Sequence, residues 1–574
     1  MNTLQRPAER KTVVYTTKAK CRDCYRCVRV CPVHAIKMEN GQAQVITENC
    51  IACGTCIKEC PQHAKTYTTD YGKVLQMIEN KNHIIASVAP SFAGYYNEWE
   101  QKRIPSALRI LGFNYIAETS AGAWHTALAS LEVLKEKPLQ NHICTACPAI
   151  VNYITIYAPK YSQYLIPVSS PMVSHARILK QKYPKSKFVF IGPCIAKKDE
   201  ANRPENEEYV DAAITFDELE ELFKLKNITL KTCEESSFDQ EVSGDARLFP
   251  LEGGLLRTAG MSTDMLDSKI IALSGFEEIK QVLESLHQGK NDKIILEPLF
   301  CRYGCINGPV ANKEENIFSK REAVLEYARN KPGKEEDTGI TNSKLFQTFF
   351  PAKHHQEEVF SEEQITEILA STGKFLPEDE LNCMACGYNS CREKAVAVLQ
   401  GIAESSMCMP YMRRMAEKQF DTLIGHDPNG IVILDSNLNI AHMNNAFKKM
   451  FTCSDAIIGK RISYLIDPES FEKIATGNEK IIRDTIHYDN YNLVCFQISY
   501  SLPDQHQYIG IFVDITDIQS NREKLADIRS ETMNKAQELL DHQINMAQEL
   551  ARFLGEHTAK EEILLKKLID TTKK

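Results

Sequence analysis

Apolar positions change their spacing several times along the chain, and each change marks a different kind of structure. Between residues 80 and about 335, short β-branched runs ("HIIASVA", "KFVFIGP", "KIILEP") alternate with stretches of three- and four-residue apolar spacing ("SALRILG", "ALASLEVLKEK"). Strands alternating with amphipathic helices predict an α/β domain. The polar segment "NKPGKEEDTGITNSK" then predicts a linker, and residues 355–418 read as helix-rich. Across 419–518, "GIVILDSNLNIAHMNNAFKKMF" predicts a strand, an Asp-Ser-Asn turn, a second strand and a helix, and "QYIGIFVDIT" supplies the last strand of a small α+β module. In 519–574 no proline interrupts, and Leu525, Ile528, Thr532, Leu539, Met546, Leu550 and Phe553 recur at helical steps. That tail predicts an amphipathic helix, which either pairs in a two-stranded coiled coil, giving a homodimer, or docks on its own protein.

A chain of 574 residues is long enough for several cores. Its net charge of −8 and its scattered basic residues leave no footprint for nucleic acid. No apolar run reaches the ~18 residues of a membrane span. The start, "MNTLQRPAERKTVVYTT", lacks the apolar centre of a signal peptide. A cytoplasmic protein is expected.

Cysteine changes this picture. There are 20, and all but Cys144, Cys233, Cys453 and Cys495 fall into sets. Those four sit in apolar or mixed surroundings and read as small core residues. So many thiols in a long chain expected to be reduced point to metal rather than to disulfides. "CRDCYRCVRVCP" and "CIACGTCIKECP" repeat one C-x2-C-x2-C-x3-C-P run. This spacing presents three thiolates to one [4Fe-4S] cubane, while the fourth cysteine, expected on the following helix, reaches the neighbouring one. The first cluster is thus assigned to Cys21, Cys24, Cys27 and Cys60, and the second to Cys31, Cys50, Cys53 and Cys56. The module spans 16–75 as a ferredoxin-like electron wire. Zinc pairs seldom carry the tripled spacing with a trailing proline. A third set, Cys383, Cys386, Cys391 and Cys408, resembles a small [4Fe-4S] domain of anaerobic redox enzymes, with zinc as the alternative.

Four more thiols lie far apart in the α/β domain: Cys147 in "CTACPAI", Cys194 in "GPCIAKKDE", and Cys301 and Cys305 in "EPLFCRYGC". By spacing alone they make one scattered metal site. The three segments resemble the signature loops of [FeFe] hydrogenases, which read roughly TSCCPxW, MPCxxKxxE and ExMxCxxGCxxGG. The resemblance covers residues 16 to about 335. It implies an H-cluster, a cubane on Cys147, Cys194, Cys301 and Cys305, joined through Cys305 to a diiron unit with CO, cyanide and an azadithiolate bridge. It also implies maturation proteins to install that unit, H2 and protons as substrates, and an electron carrier such as ferredoxin. Lys197 would hold the anionic unit by hydrogen-bonding a cyanide; Lys198 is expected to face solvent. Cys144 and Cys147 are then a false pair.

This chain departs from the family where protons leave. Ala146 replaces the first cysteine of loop one, the first proton relay, and a methyl group can neither accept nor donate. Acid–base steps contribute ~10²–10⁴-fold to rates, so low turnover is expected. Gly192 and Leu299 stand where methionines are usual, and Ala129 and Ser130 fall near the relay glutamates. His125 reads as a packed residue and Ser170 as a cavity neighbour.

Residues 419–518 resemble a PAS domain of unknown ligand. His426 and His442 read as surface or core rather than haem ligands. Because no kinase, phosphatase or DNA-binding domain follows, and His557 has no catalytic domain behind it, output would pass from the tail to a separate kinase or phosphatase. The expected fold is multidomain α/β and α+β: ferredoxin-like 16–75, H-cluster domain 80–335 with two lobes, small helical [4Fe-4S] domain 355–418, PAS 419–518 and signalling helix 519–574. The expected function is a sensory hydrogenase that binds and slowly oxidises H2 and relays redox state. A slow catalyst using the PAS domain for docking is the second reading. A scaffold without the diiron unit, like eukaryotic hydrogenase-like assembly proteins, is the third.

Overall fold

The strand Ile84–Val88 is buried at all five positions, as a strand covered on both faces requires. It pairs in parallel with Tyr115–Glu118 on one side and Lys187–Ile191 on the other, and Ala212–Ile214 completes a four-stranded sheet. Ile104 and Leu108 of one helix and Leu219 and Leu222 of another pack with Val88 and Ile191 in one core. A second core joins Met172, Val173 and Ala176 of helix Pro171–Lys182 to Ile85 and Phe188. A second parallel sheet places Ile295–Leu299 between Ile270–Ser274 and His142–Ile143. Helices Pro148–Tyr157 and Phe276–His287 pack with it through Ile150, Ile154, Ile279 and Leu283. Two α/β lobes follow, as the alternating pattern predicts.

The computed structural model describes residues 10–516 apart from 241–243, 265–268, 288–292, 312–314, 330–342, 354–357, 478–479 and 503–505, together with parts of 533–550 and residues 564–567. It divides into units Met1–Met409 and Pro410–Lys574. Most of the expected linker lies outside the described residues, and the chain beyond it returns to the α/β domain. Ser169 N donates to Phe346 O at 2.8 Å, the Arg177 guanidinium holds the carbonyls of Leu345 and Gln347, and Lys353 N donates to Thr155 O at 2.8 Å. Residues 343–353 thus pack on the α/β domain beyond position 335.

At the front, Val14–Thr16 pairs with Lys65–Tyr67, and Ile36–Glu39 forms a hairpin with Gln42–Val45. Asn40 and Gly41 turn the hairpin with φ of 52° and 67°, a left-handed pair that matches strand twist. Helices Arg26–Val30 and Thr55–Lys58 carry Cys27 and Cys56, the third cysteine of each run. The fourth cysteines, Cys31 and Cys60, follow these helices instead of riding on them.

In the second unit, five antiparallel strands take the order Ile440–Met443, Gly430–Leu434, Gln507–Asp514, Leu493–Leu502, Ile481–Tyr488. Phe447, Phe451, Phe471 and Phe512 fill one core. The second unit is thus an antiparallel sheet with helices, the α+β module expected over 419–518. One helix, Met409–His426, runs through the expected boundary at 418. Leu540 of the tail packs on Ile498, Tyr500, Ile509 and Ile511 and is buried, whereas Leu539 is 47% exposed. The buried position at that turn is thus Leu540 instead of the expected Leu539, whereas the expected Met546 and Leu550 line a pocket with Ile433 and Ile511 of the sheet. Leu525, Ile528, Thr532, Phe553 and His557 lie outside the described residues. Among the described residues no helix is long and apolar enough to cross a membrane.

Candidate metal centres and active site

Four thiols meet at each of two places in the front module. Burial pushes the Cys27 thiol up, and Cys24, Cys21 and Cys60 beside it add to the shift. The same four border a small cavity. Burial pushes Cys53 up to about 12, with Cys31 and Cys50 contributing, and Cys56 rises for the same reasons. Each group therefore combines three cysteines of one run with the fourth of the other. Between them Lys65, 3% exposed, is anchored on Thr16 Oγ1 and Ala43 O, and its charge favours thiolate at Cys27, Cys50 and Cys56. Asp23, Tyr25 and Ala52 hold left-handed φ of 56°, 54° and 57°. Such strain outside glycine persists where the surroundings impose it, most often at functional sites.

The third group gathers around Cys386, whose thiol burial raises and Cys408 raises further. Lys374 Nζ lies 3.5 Å from Cys408 Sγ, and Lys394, anchored on Ser405 O, faces Cys408, Cys386 and Cys391. Cys383 is exposed.

In the α/β domain, Cys147 caps helix Pro148–Tyr157, Cys194 follows the strand Lys187–Ile191, and Cys301 follows Ile295–Leu299. Cys305 opens the next turn. These are the carboxyl ends of parallel strands, where open α/β sheets place their ligands. Burial raises the Cys301 thiol, and Cys194, Cys305 and Cys147 raise it further. Cys144 lies in the apolar core with Ile166, Leu255 and Leu256, 2% exposed. Among the described residues no three Cys, His, Asp or Glu side chains come close enough to share one metal ion. Within each group the thiols lie in one another's electrostatic reach. Buried thiols with raised pKa stay protonated near neutrality, so a metal cluster is what would ionise them. All-thiol groups, each facing a buried amine, fit iron–sulfur chemistry.

The second front group adjoins this site. Cys53 lies within the electrostatic reach of Cys301. A Cβ at Gly54 would come within 2.5 Å of Pro309 and 2.9 Å of Ile195, and Lys58 Nζ donates to Asn307 Oδ1 at 2.6 Å. Gly54 is required here twice over, since its φ is +77°.

Lys197 is 7% exposed and donates to Glu200 Oε2 at 2.7 Å, Ser170 Oγ at 2.8 Å and Ala146 O at 3.2 Å. Ser170 Oγ also donates to Glu200 at 2.9 Å. Lys197, Glu200, Ser170 and Ala146 thus form one constellation beside Cys147. Lys198 does not face solvent: it is 2% exposed and pairs with Glu218 at 2.7 Å. The helix Ala196–Ala201 is buried at every position, which sequence spacing alone does not reveal. His125 packs against the Phe346 ring, centroids 5.3 Å apart. A methionine could not enter at Gly192, where a Cβ would already lie 2.7 Å from the Phe190 ring. Leu299 is buried in the second lobe's strand.

Glu297 is a feature that sequence reasoning passed over, although it is the first residue of the third loop pattern. Its carboxylate accepts from Leu255 N at 3.1 Å and Leu256 N at 2.9 Å. Burial pushes its pKa up to about 7, and Cys144 and Cys305 both feel its charge. A carboxyl raised from 4.5 to about 7 is more readily protonated folded than unfolded. Its contribution to stability is full below pH ~4.5 and is lost as pH rises through ~7, on the order of 3 kcal/mol. Glu297→Gln is expected to flatten that part of the stability profile in anaerobic unfolding between pH 4.5 and 8.

Residues 82–309 match the family model "Iron only hydrogenase large subunit, C-terminal domain". Residues 13–61 match the 4Fe-4S dicluster domain and residues 379–410 the FeS cluster model. The chain is 26% identical over 424 residues to iron hydrogenase 1 of Clostridium pasteurianum, covering 60% of this chain and 74% of that one. It is 27% identical over 361 residues to the periplasmic [Fe] hydrogenase large subunit of Nitratidesulfovibrio vulgaris, covering 51% and 85%. A solved PAS domain of an HTR-like protein from Haloarcula marismortui aligns with 18% of this chain and 99% of its own, at 16% identity and a TM-score of 0.16.

Proposed function

We propose that this [FeFe] hydrogenase-like protein, with its 4Fe-4S dicluster and further Fe–S domain, senses hydrogen and turns it over slowly. Cys147, Cys194, Cys301 and Cys305 hold the cubane of an H-cluster, and Cys305 bridges to the diiron unit. When bound, that unit supplies the reversible activation of hydrogen. Lys197, set by Glu200 and Ser170, orients it through a charge-assisted hydrogen bond. The remaining cysteine sets hold three [4Fe-4S] clusters that carry electrons to and from a ferredoxin-type carrier.

Ala146 carries the sensory reading. Its methyl group packs with an apolar cluster that includes Ala129, Leu255 and Leu256, so the side chain at the relay position can neither accept nor donate a proton. The PAS-like domain and the tail then bias a separate kinase or phosphatase, which requires a coupling of only ~1–3 kcal/mol. Glu297 supports the second reading, a slow working catalyst, because a carboxyl titrating near neutrality beside Cys305 can move a proton.

Anaerobic infrared spectroscopy of protein matured with the diiron cofactor tests this. CO and cyanide bands that shift reversibly under hydrogen, with turnover at least ~10²-fold below that of the catalytic relatives, are expected. Bands with turnover equal to those relatives would favour the catalyst. No bands after maturation would overturn both readings.

A further inference from the structure

The Fe–S domain follows the catalytic domain in sequence, yet it packs on the front module. Tyr388, Ala397 and Met407 share one core with Val28, Met38 and Cys27. Met38 N donates to Ile402 O at 3.2 Å, and Asn40 N to Glu404 Oε1 at 2.8 Å. Arg29 straps the two cysteine loops together, donating to Cys24 O at 3.0 Å and Ala385 O at 3.2 Å. Gly387, with φ +97°, lets this contact close: a Cβ there would lie 3.1 Å from both Arg29 N and Val28.

At the centre of the contact the His34 and Tyr388 rings stack, with centroids 5.2 Å apart and planes 18° from parallel. His34 closes the turn that opens at Cys31: His34 N donates to Cys31 O at 3.3 Å, and Ala35 N points to Cys31 Sγ at 3.3 Å. Tyr388 is two residues from Cys386, and its hydroxyl lies in the field of both Cys386 and Cys31. Tyr388 Oη and His34 Nδ1 are buried with no hydrogen-bond partner among the described residues. A buried polar group without a partner is destabilising, and acceptor sulfurs of a cluster on either side would satisfy it.

We propose that the group held by Cys383, Cys386, Cys391 and Cys408 exchanges electrons with the group held by Cys31, Cys50, Cys53 and Cys56 across the His34–Tyr388 contact. Since Cys53 also faces Cys301, that second group is a three-way junction: catalytic cubane, first front cluster, third cluster. Each transfer moves one electron, oxidising the donor cluster by one and reducing the acceptor by one, with no bond made or broken. The third cluster then equilibrates with the catalytic site through the front module, whatever its place in the chain. This rests on the reading that the cysteine sets hold clusters, and the experiment separates the two.

Full-length protein, reconstituted anaerobically and fully reduced, is assayed for iron and examined by low-temperature electron paramagnetic resonance. Wild type is compared with Cys383→Ala, Cys50→Ala and Cys21→Ala, which remove the third, second and first clusters respectively. Magnetic coupling of the third cluster should persist in Cys21→Ala and vanish in Cys50→Ala. Coupling that survives Cys50→Ala, or is absent from wild type with full iron, overturns the junction. Iron and signal unchanged by Cys383→Ala would instead overturn the cluster reading beneath it. Tyr388→Phe, which keeps the ring and removes only the hydroxyl, should lower the midpoint potential of the second or third cluster. Unchanged potentials would overturn the placement of that hydroxyl.

Discussion

Replacing Cys305 by alanine is expected to leave the front and third iron–sulfur groups in place while the matured protein shows no CO or cyanide infrared bands. The reason is position. Cys305 is buried, its thiol is pushed far up by burial and by Cys194 and Cys147, and Lys197 is the cation that opposes them. Its backbone is set independently of any metal: Cys305 N donates to Pro250 O at 2.7 Å, and Gly304 before it has φ +85° in a place where a Cβ would strike Pro250 O. The turn should survive loss of the thiol. Hydrogen-dependent electron transfer should fall to that of unmatured protein, with iron content reduced only at the catalytic site. Cys144→Ala is the matched control. That thiol fills apolar space, so its loss should cost roughly 1 kcal/mol of stability and leave the infrared bands unmoved. Equal loss of bands in both variants would mean that Cys144 and Cys147 do act as a pair.

Spacing along the chain made the cysteine sets legible, because a cubane constrains which thiols can share a loop. The same local logic made the strands legible: "HIIASVA" is apolar at successive positions since both faces of Ile84–Val88 are covered. What remained hidden depends on distant segments. Lys198 looked solvent-facing because its partner lies elsewhere: the neighbouring Asp199 and Glu200 pair with Arg10 and Lys197, and Lys198 is held inward by Glu218, on a helix twenty residues away. The strap at 343–353 follows a polar linker and returns through contacts with distant segments: its carbonyls satisfy Arg177 and Ser169 N, and Phe346 packs on His125. Leu540 rather than Leu539 is buried in the tail because Ile498, Tyr500, Ile509 and Ile511 of the antiparallel sheet receive it, a contact that spacing within the tail does not encode. The docking of the Fe–S domain on the front module left no periodic signal. It rests on a core shared by Met407, Ala397, Val28 and Met38, on Arg29, Gly387 and the His34–Tyr388 rings, and on hydrogen bonds from the backbone N–H groups of Met38 and Asn40.

Removing the Lys197 charge should be the most costly change that leaves every thiol in place. Lys197 and Glu200 are both buried, 2.7 Å apart, and share Ser170. Lys197→Met would strand the Glu200 carboxylate in the interior, and breaking a buried pair from one side costs ~3–5 kcal/mol. Arginine should rescue poorly, because a planar guanidinium needs room and donor geometry that the ammonium does not. The double variant Lys197→Met, Glu200→Gln removes both charges and should regain most of that stability in anaerobic thermal unfolding. It should not regain the infrared signature. If Lys197 orients the diiron unit, both variants give weakened or broadened cyanide bands after maturation, whatever their stability. If instead the bands return along with stability in the double variant, the lysine serves only to neutralise Glu200, and the reading of Lys197 as the residue that orients the unit is wrong. The two measurements thus separate a charge that holds the fold from one that holds the cofactor.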